Sequence, residues 1–168
     1  MGELSTVSEA LDVAEDKTGN FFKFSFGQWK RHRYDIRTLE SLTPDAISAY
    51  ALAVLRKGSM MGTLDWKNKE EDFYFICLQD HLILGALNRD EELELLPFLI
   101  YIFTHELVHV VRFCNFLQRY DIPKVNKERE ERVVHATTFE ILKNLSLPKM
   151  DYVLSSYREH RVCDMNLS

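Results

Sequence analysis

The stretch PFLIYIFTHELVHVVRFCNFLQR, residues 97–119, reads as one long helix, and it is the most apolar in the chain. Its middle is interrupted by His105, Glu106 and His109, flanked by Phe103, Leu107, Val110 and Val111. A helix apolar almost all round is predicted to be buried. Burying two imidazoles and a carboxylate in it is costly unless something satisfies them. A metal ion would do so; core histidines hydrogen-bonded to backbone or carboxylates are the plainer alternative.

The spacing favours the metal. Side chains four apart on a helix share a face one turn apart, so His105 and His109 can reach one small ion. Zinc takes imidazole nitrogen at roughly 2 Å and prefers four tetrahedral ligands, leaving a position for water in a catalytic site. Glu106 projects to the side of the two imidazoles, where it can take a proton from that water. A third protein ligand is expected on the next helix, predicted over Lys127–Leu145. There Glu128, Glu131, His135, Thr138 and Leu142 recur at three- and four-residue steps as one stripe. Glu131 and His135 lie one turn apart, and residues 121–126 give room for an antiparallel return. Only one of Glu128, Glu130 and Glu131 is needed; the others read as a solvated cluster at a helix N-terminus, which the dipole favours.

Working outward, residues 1–20 are predicted to form a loose or helical arm, and Phe22, Phe24 and Phe26 alternate like a half-buried strand. A further strand is expected within Trp29–Leu39. Thr43-Pro44-Asp45 looks like a helix start, with Arg56-Lys57 and Gly58 at its end. Residues 58–71 read as a loop, Phe73–Leu78 as a buried strand, and His81–Leu84 as a return strand after a Gln79-Asp80 turn. A last helix is expected over Asp151–Arg161. The fold class is α+β: one domain over residues 1–168, a small mixed or antiparallel sheet packed with helices.

Composition sets the remaining bounds. The 168 residues hold 21 basic and 26 acidic side chains, a net charge of −5, against the globally basic footprint of a nucleic-acid binder. The run Lys30-Arg31-His32-Arg33 is therefore read as a solvated strand face. Three cysteines without a CxxC pair argue against a disulfide framework and for a reducing, cytoplasmic setting. The apolar run Leu95–Phe103 is about half the length of a membrane span, so a soluble protein with no membrane or nucleic-acid partner is expected.

HELVH on a buried helix, followed by a helix carrying Glu131-Arg-Val-Val-His135, resembles the zincin metallopeptidases of the gluzincin type, especially their small single-domain members. The resemblance spans about Phe73–Leu145, with the preceding hairpin as the substrate-aligning edge. It implies a zincin-like fold and Zn2+ held by His105, His109 and Glu131. It also implies Glu106 as general base, His135 in a supporting place behind a ligand, and a peptide or protein substrate. Families of this type usually have Asp or Asn where His135 stands, so His135 is also an alternative third ligand. For the oxyanion, Tyr152, Tyr157, Arg158 and His160 are the available donors in the last helix. Two other readings are a non-catalytic metal-binding or interaction module on the same fold and, from Glu106-Leu-Val-His109, a ferritin-like di-iron protein.

Overall fold

The computed structural model describes residues 2–24, 33–58, 73–114, 123–157 and 163–165. In chain order these form helix α1 (Gly2–Phe22), strand β1 (Arg33–Arg37), short 3-10 turns at Leu39–Ser41 and Pro44–Ala46, and strands β2 (Ala53–Gly58) and β3 (Phe73–Leu78). Helices α2 (Asp80–Arg89), α3 (Leu95–Cys114), α4 (Lys124–Leu142) and α5 (Met150–Tyr157) follow, then strand β4 (Cys163–Met165). The fold is mixed α+β, as the pattern predicts.

Helix α3 is the axis of the molecule. Sixteen of its twenty residues are buried, which no surface helix could sustain, and it touches α1, α4, α5 and β2. By length and composition α3 is long and apolar enough to cross a membrane, more than the run Leu95–Phe103 alone suggests. Its apolar window is 83% buried by the rest of the chain, so a core role accounts for that apolarity. Of the two alternatives for residues 1–20, the helical one holds from Gly2 on: α1 packs along α3, with Ala10, Ala14 and Thr18 fully buried. Four-residue spacing of small side chains lets the two helices approach closely.

The sheet has strand order β1-β3-β2-β4. β3 runs parallel to β1 (Arg33 opposite Phe73) and antiparallel to β2 (Ala53 opposite Leu78), and β2 runs parallel to β4. Tyr74, Ile76 and Leu78 are buried, while Phe73 and Phe75 are only partly covered. Arg37 lies over the Phe75 ring at 5.0 Å. Tyr34 of β1 donates a hydrogen bond to Glu15 of α1, tying the sheet to that helix.

Three predicted elements are corrected. Phe22 and Phe24 do not lie in a strand, because α1 runs to Phe22 and is closed by Lys23 in the left-handed region (φ 59°); Phe26 lies outside the described residues. The Phe24 N–H donates to the Gly19 carbonyl and the Lys23 N–H to that of Asn20, a Schellman closure with the Phe22 and Phe24 rings 5.8 Å apart. Thr43–Gly58 is not a helix. Pro44–Ala46 makes one 3-10 turn, and buried Ala53, Val54 and Leu55 go into β2 beside β3. Gly58 caps nothing there; a Cβ on it would come within 2.9 Å of the Phe75 ring. His81–Leu84 belongs to α2, begun by Asp80 and closed near Arg89 as the helix dipole favours. The loop expected over residues 58–71 and most of the basic run at Lys30–Arg33 lie outside the described residues.

The edge-strand expectation also fails. β3 is an inner strand, flanked by β1 and β2, so any substrate-aligning edge among the described strands is β1 or β4.

Candidate metal centre

Helix α4 returns antiparallel to α3. Contacts that climb α3 through Tyr101, His105, His109 and Arg112 descend α4 through His135, Glu131 and Glu130. The predicted stripe on α4 faces inward from Glu131 on: Thr138 and Leu142 are fully buried, whereas Glu128 is exposed.

Glu131 is the centre of the arrangement. Its Oε2 lies 3.2 Å from His105 Nε2 and 3.8 Å from His135 Nε2, and its Oε1 lies 2.9 Å from His109 Nε2. The His105 ring stands 5.0 Å from that of His109 and 4.6 Å from that of His135. His105, Glu131 and His135 each bring a donor atom within 4.8 Å of the others, and His109 joins through the opposite carboxylate oxygen. The His109 ring stacks on Phe113, and Phe113 on Tyr74 of β3, so the sheet sets the back of the site. The side chains of His105 and His109 are wholly buried, while those of Glu131 and His135 keep 19% and 12% exposure, so solvent reaches the cluster from the α4 side.

The electrostatics describe a place for a cation. Burial would raise the Glu131 carboxyl, but the His109 and His105 imidazoles reverse this and hold it well below the usual carboxylate range. Burial disfavours charge on His109, yet Glu131, with Glu106 and Glu130 adding, lifts it above the ordinary histidine value. Burial dominates at His105 and pushes it down despite Glu131. Among the described residues, neither nitrogen of His105 or His109 makes a well-formed hydrogen bond, although all four are buried. Buried nitrogens around a carboxylate are the donor set that suits zinc, so these residues fit that ion.

Glu106, the candidate base, is fully buried, and its charge is felt by both His109 and Cys77 of β3. Glu130 is not the solvated residue expected of it. It is 2% exposed and receives a two-pronged hydrogen bond from Arg112, Nε to Oε1 at 2.5 Å and a terminal guanidinium nitrogen to Oε2 at 2.9 Å. Its signal was Arg112, three residues past His109 on the same face. Tyr101, one turn before His105, is the second residue the sequence reading passed over; its hydroxyl lies 3.0 Å from His135 Nδ1 and donates to the Tyr157 carbonyl at 3.0 Å.

Of the two oxyanion candidates among the described residues, Tyr152 donates to Asp90 at 2.5 Å, while the Tyr157 ring packs on Phe98 at 4.8 Å and stands 6.5 Å from that of Tyr101. Arg158 and His160 lie outside the described residues. His81 is a helix residue whose Nε2 lies 3.1 Å from the Ser48 carbonyl oxygen. Cys77 is a buried free thiol.

No protein-family model, no curated protein and no solved structure matches this chain. The chemistry of the site is therefore read from its own residues.

Proposed function

We propose that this protein is a zinc-dependent hydrolase of the metallopeptidase kind, cleaving a peptide bond in a peptide or protein substrate. One observation carries the reading: the Glu131 carboxylate meets the Nε2 atoms of both HExxH histidines at 3.2 and 2.9 Å. His105, His109 and Glu131 would hold the ion. Bound there, zinc would supply a Lewis acid that brings the pKa of water toward neutrality.

The rest is the work of the chain. Glu106, next to His105 in sequence and buried in the same helix, accepts the proton of the attacking water and passes it to the departing amine. The apolar wall of α3 keeps bulk water from competing with that transfer. Phe113 and Tyr74 hold the His109 ring in place from the sheet side. The sheet also counts against the di-iron reading, which requires four long helices around the metals.

The test is Glu106→Gln, which keeps the side chain's size and removes its basicity. The variant should retain its zinc while hydrolysis of a mixed peptide library, read by mass spectrometry, falls about 10²- to 10⁴-fold. Undiminished cleavage would exclude Glu106 as the base, and a wild-type protein that cleaves nothing would favour the non-catalytic metal module.

A further inference from the structure

The two-histidine, one-glutamate set leaves His135 unexplained, and the hydrogen bonds around it give it a definite state. Tyr101 has one hydroxyl proton, and it goes to the Tyr157 carbonyl, which can only accept. Toward His135 Nδ1, 3.0 Å away, the same oxygen must then act as acceptor. Nδ1 therefore carries the ring proton, and Nε2 is the basic nitrogen. That nitrogen is directed at the cluster, 3.8 Å from Glu131 Oε2.

The distances distinguish a ligand from a helper. Two donors bound tetrahedrally to one zinc, each at about 2.0–2.1 Å, stand roughly 3.3 Å apart. The two nitrogens that face Glu131 Oε2, those of His105 at 3.2 Å and His135 at 3.8 Å, bracket that value, while His109 Nε2 lies 2.9 Å from Oε1. A supporting residue would instead present a hydrogen-bond acceptor to the Nδ1 of a metal-binding histidine. The Nδ1 atoms of His105 and His109 have no hydrogen-bond partner among the described residues, so His135 does not serve them in that way.

Resting on the metal reading above, we infer that His135 is a fourth protein donor to the ion, and that Tyr101 is the positioning residue that sets its tautomer and ring orientation. The resting centre is then a three-histidine, one-carboxylate site already supplied with four protein donors. Tyr101 also holds the Tyr157 carbonyl, which ties His135 to the end of α5.

Cobalt(II) tests this without recourse to activity. Apo-protein is titrated with cobalt(II), following the visible bands for coordination and the midpoint for affinity. His135→Gln should alter the saturated spectrum and weaken binding; His135→Ala repeats the test with a different fold risk, and far-UV circular dichroism checks both. Tyr101→Phe should keep the saturated spectrum but weaken cobalt binding about 10- to 100-fold, as loss of an orienting partner does. Folded His135 variants with the wild-type spectrum and midpoint would overturn the ligand assignment, and an unshifted Tyr101→Phe midpoint would overturn the positioning role. A wild-type protein that develops no cobalt bands would be a different failure, that of the metal reading itself.

Discussion

His105, Glu106 and His109 were legible in the sequence because their chemistry is local: four residues on one helix face place two imidazoles together whatever the rest of the fold does. Glu131 was legible for the same reason once a return helix was assumed. Tyr101 was not, because its role depends on a carbonyl 56 residues away. Glu130 was misread because helix-terminal acids are usually solvated, and only the antiparallel docking of α4 brings it to Arg112. Cys77 gives a prediction at this scale. Burial in β3 is the main cause of its thiol being pushed up to about 11. The unfolded thiol ionises near pH 8.5. The protonated, folded form is therefore favoured at and below that pH, and the advantage is lost as pH rises through the folded value. Native protein at pH 8 should be alkylated at Cys77 by iodoacetamide far more slowly than denatured protein, as mass spectrometry would read. Equal rates would contradict the burial of β3.

At the scale of elements, the motif helix, its return helix and the FYFICL strand follow from long, strong patterns. Thr43–Gly58 does not. The Thr-Pro-Asp start and Ala-rich continuation favour helix by only a few tenths of a kcal/mol per residue. Pairing β2 with β3 buries Val54 and Leu55, each worth about 1.5–3 kcal/mol, and non-local packing wins. The strand expected to begin at Phe22 fails there for a local reason, the left-handed Lys23, which pattern reading assigns to glycine far more readily. The element that aligns the site is the α3–α4 pair, and the Arg112–Glu130 fork fixes its register. Glu130→Ala leaves a guanidinium without its buried partner and should cost about 3–5 kcal/mol in urea unfolding. The double replacement Arg112→Met, Glu130→Leu should recover most of that loss, because both desolvation penalties vanish together. A single variant as stable as wild type would mean that the fork does not hold the helices.

For the whole molecule, the α+β class was readable from the order of the patterns, but the strand order was not. Parallel pairing of β1 with β3 and of β4 with β2 joins segments distant in sequence, and no local signal specifies it. The resulting architecture gives α3 its central place, with α1 on one side, the sheet behind His109, and α4 closing over the two imidazoles. Every part of this arrangement bears on one claim: that the polar cluster inside an otherwise apolar core is held together by a metal. The most direct test is the metal content of the purified wild-type chain beside Glu131→Gln, measured by inductively coupled plasma mass spectrometry without added metal. The account predicts about one zinc per wild-type chain and a loss of most of it in the variant. Two irons per chain, no metal in the wild type, or a full complement of zinc in Glu131→Gln would contradict it.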